Sequence, residues 1–238
     1  ETVTTGNSSI LARDGKTIVA TDDISTVQIN KKAIDGTGAE VTLDSSDESQ
    51  VAKFTLKGKD LTGVLVNGEA ITEENKTSYT FTSNSTNIEG LKDGQYTLVE
   101  ETAPDGFTVV SDFEFSIVDG KAVAGTASTT GDSYVDENGN IIITDKISTV
   151  KIDKKAIDGT GAEVELDSAD EKQQATFTIK GEKLEGVKVN GKAITAEDIK
   201  NNSYTFTGNS TEFEGLKDGS YTLVEETAPD GFTVVSDF

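Results

Sequence analysis

The sequence contains a long copy of itself. Residues 24–113, opening ISTVQINKKAIDGTGAEV, return as residues 147–238, opening ISTVKIDKKAIDGTGAEV, at an initial offset of 123 residues. The stretch EGLKDGQYTLVEETAPDGFTVVSDF at 89–113 recurs at 214–238 with one change, Gln95 to Ser220. A repeat of this kind constrains the architecture before any strand is assigned. The first 23 residues, ETVTTGNSSILARDGKTIVATDD, match the end of a unit, TASTTGDSYVDENGNIIITDK at 126–146. The sequence therefore reads as three pieces. Residues 1–23 are the final strand region of a preceding repeat, 24–146 a complete repeat, and 147–238 a second repeat lacking its last strands. With no signal peptide, membrane span or anchoring segment in it, the stretch reads either as a cytosolic protein or as an excised piece of a larger one, and the internal repeats favour the excised piece.

Within a unit the pattern is all-β. Short alternating runs such as Thr26-Val27-Gln28-Ile29, Phe54-Thr55-Leu56 and Tyr96-Thr97-Leu98-Val99 are separated by Gly, Asn and Asp turn signals. VLVNGEAI at 64–71 and VKVNGKAI at 187–194 place Asn-Gly between apolar runs, the strongest short-range hairpin signal, and FEFSIVDGKAVAG at 113–125 does so with Asp-Gly. The helical candidates are TEENK at 72–76 and TAEDIKNN at 195–202, each opening on a Thr placed to cap a single turn. Many strands and little helix predict an immunoglobulin-like β-sandwich in tandem repeats. The junction IIITDKISTVKIDKK at 141–155 has no Gly, Pro or Ser-rich linker and predicts a stiff connection, with axial load entering each unit by its first strand and leaving by its last.

Composition narrows the chemistry. With 43 acidic and 21 basic side chains the formal charge is −22, which argues against nucleic acid and anionic membrane as partners, because both need basic surface. His, Cys, Met and Trp are absent, so there is no thiolate nucleophile, no Ser-His-Asp triad, no disulfide and no zinc site of the usual ligands. Carboxylates, Lys, Tyr and hydroxyls remain, and no cofactor is implied. The acidic loops DSSDES at 44–49 and DSADE at 167–171 lack the spaced pattern that wraps calcium and read as solvated loops, so no metal site is expected. Glu100 and Glu101 are adjacent on a strand and face opposite sides, so they cannot flank one glycosidic bond.

Strand parity then singles out three ionisable groups. Val27 and Ile29 share a face that continues to Lys31; Tyr96 and Leu98 share one with Glu100; Ile141 and Ile143 share one with Asp145. The second copy repeats two of these series, as Val150, Ile152 and Lys154, then Tyr221, Leu223 and Glu225. Asp22, in ATDD, matches the position of Asp145. Lys32, Lys155, Glu101 and Glu226 have the opposite parity and read as solvated. Parity alone leaves open whether the first set forms ordinary salt bridges between strands, solvated charges at strand ends, or a reactive site.

The order of Lys31 after a Val-x-Ile strand, YTLVEETAPDGF at 96–107 and IIITD at 141–145 resembles the B-type repeat domain of Gram-positive collagen adhesins and pilins, the Cna B-type family. The resemblance covers 24–146, 147–238 and the tail 1–23. It implies a spontaneous isopeptide bond, with Lys31 as nucleophile, Asp145 as acyl partner and Glu100 as catalytic acid and base. In the second copy it implies Lys154 and Glu225, with Asp22 as the acyl partner belonging to another unit. Burial disfavours charge, so a free amine and a neutral acid can coexist near pH 7 and react at high effective concentration. The event happens once per domain, so the chain is not an enzyme in the sense of turnover.

The implied function is a structural stalk of a Gram-positive cell-surface adhesin, extracellular and cell-wall anchored as part of a larger protein. Its partners would be adjacent repeats of the same protein, and segment 1–23 of one molecule could complete unit 147–238 of another by strand addition, although EFSIVDGKAVAG would still have no counterpart there. Two alternatives stand beside it. A pilus shaft subunit would need an acceptor-lysine motif of the Tyr-Pro-Lys-Asn type, which is absent from this stretch. A ligand-binding adhesin module for host matrix or glycan would gain avidity from repetition, but no aromatic cluster marks a binding face.

Overall fold

The tight turns are built where the sequence places Asn-Gly and Asp-Gly. The computed structural model describes the backbone of residues 8–11, 18–125 and 132–238, and side chains within the last two stretches from Asp22 on. Parts of the matched tails, 1–7, 12–17 and 126–131, lie outside the described residues. Asn67 and Gly68 have φ of 51° and 87°, Asn190 and Gly191 48° and 75°, and Asp119 and Gly120 52° and 73°. Positive φ at both central residues is the twist that joins antiparallel strands through a two-residue loop.

Up to residue 146 the strands are β1 (Ser8–Leu11), β2 (Ile18–Thr21), β3 (Thr26–Ile34), β4 (Glu40–Val41), β5 (Lys53–Gly58), β6 (Leu65–Val66), β7 (Glu69–Ala70), β8 (Ser78–Thr82), β9 (Ser85–Glu89), β10 (Gly94–Thr102), β11 (Phe113–Val118), β12 (Lys121–Ala124), β13 (Tyr134–Val135) and β14 (Ile141–Lys146). They are followed by β15 (Thr149–Asp153), β16 (Ala156–Ile157), β17 (Glu163–Val164), β18 (Thr176–Lys180), β19 (Lys188–Val189), β20 (Lys192–Ala193), helix α1 (Ala196–Lys200), β21 (Ser203–Thr207), β22 (Ser210–Glu214) and β23 (Thr222–Thr227). The chain divides into two compact units. The first comprises Glu1–Lys32, Ala52–Thr102 and Val110–Thr144, and the second Ala33–Val51, Ala103–Val109 and Asp145–Phe238.

In the first unit β12, β11, β10, β5 and β8 lie side by side in one sheet. A second sheet runs β13, β14, β3, β9, β6 and β7. Alternation sends one face of each strand inward, and the two faces close on a single core. Val27, Ile29, Phe54, Leu56, Ile88, Leu98, Phe115, Ile141 and Ile143 are each no more than 2% exposed. Tyr96 stacks on Phe115 at 5.5 Å between ring centroids, and its hydroxyl donates to the Lys92 carbonyl at 2.8 Å. Its ring passes so close to Gly58 that a Cβ there would come within 2.8 Å of it. Strands β1 and β2 form a separate two-stranded antiparallel sheet.

The second unit repeats the pairing pattern with its own residues. Its sheets run β15, β22, β19, β20 and β21, β18, β23, with β16 and β17 as a small pair. Leu223 faces Ile179 as Leu98 faces Leu56, and Phe206 faces Phe177 as Phe81 faces Phe54. Phe177, Leu184, Val187, Phe213 and Leu223 are buried in its core. Within this unit the amide of Ile147 donates to the Ile34 carbonyl at 3.0 Å and that of Ser148 to Gly106 at 2.8 Å.

The two expected helical turns differ. TEENK folds only as a 3-10 turn over Glu73–Asn75, and the Thr72 side chain makes no capping bond. Two extra residues in the second copy allow the α-helix 196–200, where the Thr195 hydroxyl accepts from the Asp198 amide and Asp198 accepts from the Thr195 amide. That reciprocal pair satisfies two donors at the helix start. Thr195→Ala is expected to cost about 1 kcal/mol, read as a lower urea midpoint, whereas Thr72→Ala should leave the midpoint unchanged.

Candidate functional site

Lys31 extends the buried face of β3 beyond Val27 and Ile29, and Glu100 does the same for β10 beyond Tyr96 and Leu98. The two meet inside the first unit. Lys31 Nζ lies 2.5 Å from Glu100 Oε1, and both side chains are fully shielded from solvent. The ammonium also sits over the Phe54 ring, 5.8 Å from its centroid, within cation–π range. Phe54 is the cross-strand partner of Glu100, so β5 and β10 together form the wall against which Lys31 rests.

A local irregularity aims the carboxylate. The β10–β5 register runs Glu100 to Phe54 and then Thr102 to Lys53, leaving Glu101 as an extra residue. Such a bulge bends a strand and redirects the side chains beside it. Glu101 is accordingly exposed. Past the bulge, Ala103-Pro104-Asp105-Gly106-Phe107 turns the chain back, with the Phe107 amide donating to the Pro104 carbonyl at 3.0 Å. The return brings the Val110 amide to Glu100 Oε2 at 3.0 Å. One oxygen of Glu100 thus faces the amine and the other is held by backbone.

Asp145 lies on β14, which is buried from Ile141 through Asp145, and its relative exposure is 0%. In the sheet order β14 is the immediate neighbour of β3. The Thr144 amide donates to Ser133 Oγ at 3.1 Å, fixing the strand just before Asp145.

The Lys-Glu arrangement recurs in the second unit. Lys154 Nζ lies 2.7 Å from Glu225 Oε1, with side-chain exposures of 9% and 0%. The Val235 amide donates to Glu225 Oε2 at 2.8 Å, and the β18–β23 register skips Glu226 just as β5–β10 skips Glu101. Glu226 and Lys155 are exposed, Lys155 paired with Glu163 at 3.0 Å, and Lys32 is half-buried. Asp22 is exposed and follows the separate β1–β2 hairpin. The sequence pattern picked out the charged side chains but missed Val110, Val235 and the Phe54 ring. The identical copying of EETAPDGFTVV at 100–110 and 225–235, Glu and returning Val included, was the signal for the amides.

The acidic loops have a local use. Ser46 holds the Asp44 carboxyl below the usual carboxylate range through its hydroxyl and then its amide. Ser49 and Gln50 do the same for Asp47, whose side chain caps the 3-10 turn Glu48–Gln50. Asp170 accepts from the Lys172 amide in the second copy.

Residues 25–132 match the family model described as SpaA, prealbumin-like fold domain. The chain is all-β, and in its first unit two sheets pack on one core as a sandwich. No curated protein matches it. Among solved structures it is similar to a C-terminal fragment of the pilus adhesin SpaC from Lactobacillus rhamnosus GG, at 17% identity and TM-score 0.36, covering 87% of this chain and 78% of that one. The Bacillus anthracis TIE protein matches at 17% identity and TM-score 0.39, over 93% of this chain and 31% of that one. A variant of the shaft pilin SpaA from L. rhamnosus GG matches at 16% identity and TM-score 0.30, over 90% and 92%. The chain therefore spans about a third of the TIE protein's length. Among the described residues no helix is long and apolar enough to cross a membrane.

Proposed function

We propose that this chain is part of the stalk of a Gram-positive surface protein, extracellular and cell-wall anchored through a longer parent, with tandem β-sandwich repeats as one another's partners. Its first repeat is clamped by an amide between Lys31 and Asp145. The observation that carries this reading is the fully shielded Lys31–Glu100 pair, with Asp145 the last of the buried residues on β14, the neighbour of β3 in the sheet order. Buried charges are expensive, and a buried ion pair is weak evidence for stability in its own right. Three ionisable groups at the ends of three core-facing series are better explained by chemistry that consumes their charge.

With the Lys31 amine and the Asp145 acid both neutral, the Nζ lone pair attacks the Asp145 carboxyl carbon. As the Nζ–Cγ bond forms, the Glu100 carboxylate takes one proton from the nitrogen and passes it to the departing hydroxyl, which leaves as water. Val110 keeps Glu100 in place by holding its second oxygen. Denatured protein is expected to weigh one water, about 18 Da, less than its sequence requires. Lys31→Ala and Glu100→Ala should each restore the full mass, and a full mass in the unaltered chain would overturn the clamp.

A further inference from the structure

Attack on a carboxyl carbon needs that carbon held about 3–3.5 Å from the amine, yet Asp145 stands where the ladder on one side of its strand has stopped. β13 is two residues long and pairs with β14 through Tyr134–Ile142 and Val135–Ile141. Ile143 and Thr144 run on beyond this pairing, and both are buried. A buried amide left there without an acceptor would be costly. The Ser133 hydroxyl supplies the acceptor, taking the Thr144 amide at 3.1 Å within the first unit. Ser133 is 9% exposed and Thr144 8%, so water has little access to the bond.

The residue after Asp145 is held as well, within the second unit. The Lys146 carbonyl accepts from the Thr108 amide at 3.0 Å and from the Thr108 hydroxyl at 3.1 Å. Thr108 stands two residues before Val110, whose amide holds Glu100. The pairing of a serine with the threonine before the aspartate recurs in the matching segment of the chain. TTGDS at 129–133 reads TTGNS at 4–8, while Tyr134 becomes Ser9, and Ile142 and Ile143 become Val19 and Ala20. Ser8 pairs across β1–β2 with Thr21, the counterpart of Thr144. The apolar positions drift between the two copies, and the serine and the threonine do not.

We infer that Ser133 is a positioning residue for the clamp, with Thr108 on the other side of Asp145, and that the two together fix the Asp145 carboxyl for attack by Lys31. This rests on the clamp chemistry proposed above, and neither residue carries a proton in it. Their effect is on the distance between amine and carboxyl. A displacement of about 1 Å is enough to cost on the order of 100-fold in rate. Once the amide exists it holds Asp145 by itself, so the hydroxyls matter to closing the clamp and not to keeping it closed.

Full-length Ser133→Ala, Ser133→Thr and Thr108→Val test it. Each chain is made in a short pulse of cell-free synthesis, quenched in acid at intervals and weighed denatured, so that the loss of one water, about 18 Da, reports closure. Ser133→Ala is expected to close on the order of 100-fold more slowly, and Ser133→Thr, which keeps the hydroxyl, at nearly the unaltered rate. Thr108→Val should slow closure less, because the backbone amide at 108 still donates to Lys146. Hydrogen exchange at the Leu98 amide of each variant reports whether the first core is folded. Slowing while Leu98 stays protected is the mark of lost positioning, since a purely structural loss slows closure only in step with unfolding. Ser133→Ala closing at the unaltered rate overturns the inference and spares the clamp. Slowing that tracks loss of Leu98 protection, or that Ser133→Thr shares in full, does the same. Thr108 is exposed, so Thr108→Val keeps the fold, and an unchanged closure rate there also overturns the assignment. A full mass in the unaltered protein instead removes the clamp itself, and this assignment with it.

Discussion

Pulled from its two ends, the unaltered chain is expected to hold residues 32–144 out of the extension, while Lys31→Ala releases them in one step. Lys31 and Asp145 are 114 residues apart, and an extended chain spans at most about 3.3–3.6 Å per residue. The released segment therefore adds on the order of 400 Å of contour length. The effect is large because of where the two residues sit. Lys31 lies on β3 and Asp145 on β14, adjacent strands at the start and end of the first repeat. With an amide between them, tension passes from one strand to the other through a covalent bond. Without it, tension must be borne by the non-covalent contacts of β3 and β14 with the rest of the fold. Force spectroscopy reads the difference as a missing or present rip. A rip of full length in unaltered protein would contradict a force-bearing clamp.

Much of this arrangement was legible in the sequence because period-2 alternation is a local rule. It placed Lys31, Glu100 and Asp145 on the faces of Ile29, Leu98 and Ile143, and all six are buried. Asn67-Gly68 and Asp119-Gly120 are legible for a similar reason, since few other pairs accept positive φ at both positions. What stayed hidden depends on backbone or on neighbours. Val110 acts through its amide, which any residue but proline would supply, so no side-chain pattern marks it. The skipped Glu101 is a property of the β10–β5 ladder. Val150 belongs to the same alternation as Val27 yet lies open, because its burial depends on a strand across the sheet edge and its own sequence carries no trace of that. Thr72 and Thr195 are alike in sequence, and a two-residue difference in the loop decides which of them caps a helix.

Heat should separate the covalent contribution from the electrostatic one. In the chain-entropy view, closing a loop of about 100 residues stabilises the folded state by about 4.7 kcal/mol, which for a domain of this size corresponds to a loss in Tm of roughly 15–25 °C when the clamp is absent. Lys31→Ala confounds two effects, because it also leaves Glu100 buried without its partner, at a further cost of about 3–5 kcal/mol. Asp145→Ala removes the bond while keeping the Lys31–Glu100 pair and its contact with Phe54. The double variant Lys31→Met with Glu100→Leu removes bond and charges together, and replacing a buried pair by apolar side chains of similar volume is often neutral or favourable. If the stability is covalent, Asp145→Ala and the double variant should both melt far below the unaltered protein in calorimetry, and Lys31→Ala lower still. If the pair acts only as a salt bridge, the double variant should melt at or above the unaltered protein, and the clamp would have no thermodynamic role.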